Sequence, residues 1–155
     1  MLEIIQKIIP NVASHPERFF NGLLETFVMT LWSGAISFAI GIVFGITLTV
    51  TKKDGVLENK VVFQFLDKAI NLFRSVPFII LLTGVMPLSR LIMGTAIGVK
   101  GAIVPLVFGT VPFFSRQREA ALAGVDGGLV DAALSVGLSP VDIIFRVYLK
   151  ESVGP

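Results

Sequence analysis

From Thr26 to Thr51 the chain carries no charged residue, and as an α-helix this run is ~39 Å long, more than the ~30 Å hydrocarbon core of a bilayer demands. The pattern predicts a membrane span over 23–51. Within it Ser33, Ser37, Gly41 and Gly45 recur every fourth residue, so they share one helix face, where small side chains let another helix approach closely. Upstream, Leu2, Ile5, Ile8, Ile9 and Val12 alternate with Glu3, Gln6 and Lys7 in helical spacing. This predicts a segment over 1–21 that lies along the membrane surface. Pro10, His15, Pro16, Glu17 and Arg18 interrupt that region, which is the wrong pattern for a cleaved signal peptide.

Lys52, Lys53, Asp54 and Gly55 end the first span. The next charge-free stretch, Ser75 to Ser89, would be only ~22 Å of helix, so a crossing over 69–89 must include Ala69 to Phe73 and let Arg74 snorkel toward the headgroups. Pro77 and Pro87 predict local bends there, and a re-entrant segment is the competing reading. A third span is expected over 91–115. It holds Lys100 and the helix breakers Gly94, Gly98, Gly101, Pro105, Gly109 and Pro112, so it crosses only as a bent helix whose freed backbone groups find partners in neighbouring protein or water.

Composition agrees with this pattern. Hydrophobic residues make up 54% of the chain and charged ones 15%, with a mean hydropathy of +0.84, too apolar for one small soluble core. The fold class expected is all-α, a polytopic bundle of transmembrane helices. With no cysteine, thiol catalysis, disulfides and cysteine metal sites are excluded. His15, the one histidine, stands beside Pro16 in a polar stretch and reads as an exposed loop residue. Asp126-Gly127-Gly128 lacks the companion acidic positions of a calcium loop and reads as a turn before a helix. The cations are scattered instead of gathered on one face, which argues against nucleic acid. If the spans alternate, nine cations (Lys52, Lys53, Lys60, Lys68, Arg74, Arg116, Arg118, Arg146, Lys150) share one side and four (Lys7, Arg18, Arg90, Lys100) the other. The basic side is cytoplasmic, so the N-terminus is expected outside and the 116–155 tail inside.

In that tail Leu129 to Val136 reads as a short amphipathic helix, and Gly137 stands where a left-handed terminator is needed. A second helix follows, with Ser139 as N-cap, Pro140 at the first helical position and Asp142 in the first turn. The two meet at an elbow, on which Ala132 and Ala133 are expected to present a small flat surface that fits a groove in another protein.

The series Asp131, Ala132, Ala133, three residues, Gly137, nine residues, Val147, one residue, Leu149 resembles the cytoplasmic Glu-Ala-Ala motif of bacterial ABC importer permeases. The spacing fits throughout. Asp131 stands for the usual Glu, Val147 for Ile, and Lys150 for Pro. An earlier triplet, Glu119, Ala120, Ala121, does not fit, because Gly124 follows it after two residues instead of three. Further upstream, Phe73-Arg74-Ser75-Val76-Pro77-Phe78-Ile79-Ile80-Leu81-Leu82, Gly94-Thr95-Ala96-Ile97-Gly98 and Ala102-Ile103-Val104-Pro105-Leu106 are similar to methionine-importer permeases.

That resemblance implies a homodimer of inner-membrane permease subunits with five spans each, two cytoplasmic ATPase subunits that hold ATP and magnesium, and an external lipoprotein that delivers methionine. It implies that the elbow is the coupling helix seated on the ATPase, and that three of five spans are present. No phosphate-cradling glycine loop with its Lys and Ser/Thr, and no metal-ligand spacing, occurs in the chain, so no catalytic residue, cofactor or metal is assigned to it. Other readings stay open: a fragment with a structural or regulatory role, or a permease for another amino acid. A secondary-transporter half is disfavoured, because no carboxylate lies between Asp67 and Glu119 to couple an ion.

Overall fold

The computed structural model describes Ile4, Lys7 and residues 9–152. It is all-helical among these residues. After a short α1, Pro10–Ser14, the exposed His15 forms a one-residue joint, and α2 runs from Pro16 to Thr51. Leu2, Ile5 and Ile8 of the expected surface segment lie outside the described residues, and no boundary appears near residue 21. Pro16 suits a first helical position and Glu17 complements the helix dipole, so the helix starts there and continues unbroken into the span. Six of its hydroxyls are satisfied within the helix: those of Thr26, Thr30, Ser33, Thr47, Thr49 and Thr51 donate to the carbonyl four residues back, the local bond open to such side chains in a helix.

The connection to the next helix uses Asp54 at φ +62°. Asn59 then caps α3, Lys60–Ser75, accepting from the N–H groups of Val61 and Val62. The expected span over 69–89 is not one rod. It breaks at Val76 and Pro77, and α4, Phe78–Met93, leaves α3 at 113°. Proline lacks an N–H and its ring drives the preceding residue out of the helical region; Val76 has ψ 124°. Pro87, by contrast, lies inside α4 without ending it.

Gly94 and Gly98, at φ +76° and +73°, bracket a tight turn into α5, Gly98–Ala123. The third helix therefore begins seven residues later than residue 91 and ends eight later than residue 115. Leu91, Ile92 and Met93 finish α4, and the helix-favouring run Arg116 to Ala123 extends α5. Pro105 and Pro112 are both accommodated inside it.

Helices α2 and α5 pack side by side and parallel, Gly41 meeting Phe114 and Gly45 meeting Arg118. Helix α4 runs antiparallel to α5: Leu81 lies by Gly109, and Ser89 by Gly101. By length and composition α2 and α5 can each cross a membrane, and the bent pair α3 and α4 passes the same test only when its two arms are taken together, as a broken span or a re-entrant loop. Beyond Ala123 the chain forms α6, Gly127–Ser135, and α7, Pro140–Ile143, followed by a π-helical turn, Ile144–Tyr148, and a last turn α8, Leu149–Glu151. The wide turn places Ile143 and Tyr148, five residues apart, in one buried cluster.

Candidate functional site

The elbow is assembled from local backbone chemistry. Asp126 caps α6 by accepting from the Gly128 N–H at 2.9 Å. At the other end Gly137 adopts φ +79°, its N–H donates to the Leu134 carbonyl at 3.0 Å, and the Leu138 N–H donates to that of Ala133 at 3.1 Å. This double bond pattern is the glycine-terminated helix stop. Two residues on, the Ser139 hydroxyl accepts from the Asp142 N–H at 3.2 Å and donates to the Asp142 carboxylate at 2.6 Å, with Pro140 between them at the first helical position. Stop and start are thus separated by only Leu138, which fixes the angle between the two arms.

One apolar cluster seats the elbow on the ends of two long helices. Val50 of α2 and Leu122 of α5 pack with Val130, Ala133, Ile143 and Tyr148, and Val147 and Leu138 lie against them. Ala133 is 7% exposed. The expected flat surface of Ala132 and Ala133 is therefore corrected: only Ala132 faces outward with Asp131, because Ala133 falls on the same side of the helix as Val130. The outward row is Leu129, Ala132 and Val136, with Leu129 46% and Val136 77% exposed, and on the second arm Val141 and Phe145 are exposed as well. Leu129, Val136, Val141 and Phe145 were not among the expected site residues, although the three- and four-residue spacing along α6 carries the signal. Leu149 is half-buried and Gly137 exposed. Burial, and then the charge of Asp131, push the Tyr148 hydroxyl above its ordinary pKa.

The four small residues of α2 are all buried against protein. A Cβ added to Gly41 would stand 2.6 Å from Phe114 Cβ, and one added to Gly45 would stand 2.5 Å from Arg118 Cβ and 3.0 Å from the Ser115 carbonyl. Ser37 is fully buried and its hydroxyl has no partner. Beside this interface, on the α3 side, lies an apolar cavity of about 270 Å³ lined by Ile40, Phe44, Leu66, Ile70, Phe108 and Val111 among others. No group of three or more metal-binding side chains occurs among the described residues.

Comparison with known proteins places this arrangement. Residues 40–155 match the profile of the family described as binding-protein-dependent transport system inner membrane component. The D-methionine transport system permease protein MetI of Yersinia pestis is 42% identical over 132 residues, which are 85% of this chain and 61% of that protein. The probable counterpart of Vibrio cholerae is 45% identical over 129 residues, 83% of this chain and 57% of the relative. The chain thus spans about three fifths of the curated relatives it matches. Among solved structures, an inward-facing form of the MetNI methionine ABC transporter superposes with a TM-score of 0.84 at 39% identity, over 87% of this chain and 62% of that one. Matched by that profile over most of its length, the chain belongs to the binding-protein-dependent transport system inner membrane component family.

Proposed function

We propose that this chain serves as the permease subunit of an ATP-driven importer of methionine, passing substrate by alternating access while a separate ATPase does the chemistry. Its similarity to D-methionine permeases and to the MetNI methionine transporter supports the substrate, and the elbow supports the mechanism. The observation that carries the reading is the exposed row Leu129, Ala132 and Val136 on an elbow whose inner face is packed onto the ends of α2 and α5. An apolar row of this kind fits a groove in a cytoplasmic partner. A rigid seat on two helices turns displacement of that partner into rigid-body movement of the spans. Asp131, Ala132, Ala133, Gly137, Val147 and Leu149 make up this coupling element, with Ser139, Pro140 and Asp142 fixing its angle. Two copies of the subunit, two ATPase subunits holding ATP and magnesium, and an external substrate-binding lipoprotein complete the assembly, in which the chain's tail is cytoplasmic and its N-terminus outside. Transport is proposed of that assembly and not of this chain alone.

Gly137→Val tests the coupling role. A β-branched residue at φ +79° strains the stop by ~1–2 kcal/mol, and nothing else lies within 4 Å of the added Cβ. Co-purification from membranes should recover less ATPase with the variant. An unchanged yield would remove the elbow from the coupling role.

A further inference from the structure

Glu119, Ala120 and Ala121 resemble the coupling triplet but lie in the last turns of α5 and not in the elbow itself. Glu119 accepts from Arg116 at 2.6 Å, and the other guanidinium nitrogen of Arg116 is bound to the Asp67 carboxylate and, at 2.9 Å, to the Asn71 side-chain oxygen. Asp67 and Asn71 belong to α3, more than forty residues earlier in the chain. Both carboxylates and the guanidinium are at least two-thirds buried.

Among the described residues, side-chain hydrogen bonds that join one helix to another remote in sequence occur at two places. One is this cluster, which ties α3 to the tail end of α5. The other is Ser89 of α4, whose hydroxyl donates to the Gly101 carbonyl at 2.6 Å and ties α4 to the start of α5. The bent pair is therefore pinned to α5 once in each arm, at Asp67 and Asn71 within α3 and at Ser89 near the end of α4, with the Val76-Pro77 break between the pins. Apolar packing supports the first pin only sparsely: Phe73 of α3 meets Phe108 of α5 edge to face, with ring centroids 5.9 Å apart. Ile70 is the one fully buried residue of α3, and the 270 Å³ cavity lies against Leu66, Ala69, Ile70 and Phe73 on the face that turns toward α2 and α5. Interiors hold their elements by close packing, and beside this cavity the polar cluster adds the hold that the few apolar contacts of α3 leave out.

We propose that Arg116 is a positioning residue: its fork, held between Asp67 and Asn71 on α3 and Glu119 on α5, clamps α3 to α5 so that the bent pair follows α5 when the elbow is displaced. The fork explains the choice of arginine, since two terminal nitrogens held apart in one plane reach Glu119 and Asp67 separately, whereas an ammonium offers a single compact nitrogen. Without the clamp, α3 swings about Val76-Pro77 while α5 moves alone. The transmission role rests on the coupling reading above, but the clamp itself does not.

The test places spin labels at Gln64→Cys and Gln117→Cys, two exposed positions on α3 and α5 outside the cluster, in a chain with no native cysteine. The full chain in bilayer nanodiscs should give one narrow distance distribution, Asp67→Asn a broad one, and the reversed pair Asp67→Arg with Arg116→Asp a narrow one again, because it keeps one guanidinium and two carboxylates. Arg116→Lys should behave as Asp67→Asn does. Should Asp67→Asn fail to fold, Asn71→Ala is read in its place. An unchanged distribution in these variants overturns the clamp. In the assembled importer, Asp67→Asn should hydrolyse ATP yet lose about tenfold in uptake, with recovery in the reversed pair; equal uptake overturns the transmission role. If instead Gly137→Val retains its ATPase while the labels respond as stated, the coupling reading fails and the clamp stands.

Discussion

Gly45 shows how little room one residue has. Gly34 lies on the same helix with nothing within 4 Å of an added Cβ, whereas at Gly45 the same methyl meets Arg118 Cβ and the Ser115 carbonyl. Alanine is the better helix former by about 1 kcal/mol, so Gly34→Ala should hold or raise resistance to unfolding in SDS. Gly45→Ala should lower it by ~1–3 kcal/mol through overpacking, and equal behaviour of the pair would deny the close approach. Tyr148 offers a second residue-level test, since it is the only tyrosine and ultraviolet absorbance reads its ionisation directly. Burial first, then Asp131, hold its hydroxyl above the ordinary value of 10.0. The unfolded chain therefore loses this proton at lower pH than the folded one, so the stabilisation is whole below pH 10 and falls as pH rises through the folded pKa. The titration midpoint should lie above 10, and Asp131→Asn should bring it partway down; a midpoint at 10 in the folded protein would place the ring in water.

At the scale of elements, legibility followed the strength of the local signal. The charge-free run of α2, the helix stop at Gly137 and the cap at Ser139 were readable because each depends on neighbours in sequence. The elements misplaced were those decided elsewhere. Residues 69–89 look long enough to cross, but Pro77 redirects the chain by 113°, and composition does not report an angle. The ends of α5 shifted because two left-handed glycines cut off its expected start and a charged but strongly helical run prolonged it. Ala133 was given to the outer surface because the motif joins it to Ala132, whereas packing against Val50 and Leu122 decides which side of α6 is hidden. The Arg116 cluster was invisible for the same reason: its partners are more than forty positions apart.

Across the whole molecule, α2 and α5 run in the same direction and end side by side, with the bent pair returning between them in sequence. Lys52, Lys53, Arg116 and Arg118 accordingly collect at one end of the bundle, while His15 lies at the other end of α2. Orientation can be read by substituting one cysteine at a time. His15→Cys should react with a membrane-impermeant maleimide on intact spheroplasts, and Lys53→Cys only after they are opened. The opposite pattern would invert the assigned topology.

The buried cluster that seats the elbow has a consequence in the language of equilibria. Since Val50 and Leu122 are the ends of the two parallel spans and also the floor under Val130 and Tyr148, the elbow and the spans share one set of contacts and cannot hold independent conformations. Linkage then runs both ways. By whatever factor a protein gripping the elbow changes the affinity of the spans for a solute, that solute changes the strength of the grip by the same factor. In the proposed importer, filling the path between the spans would thereby be reported at the elbow without a separate sensor.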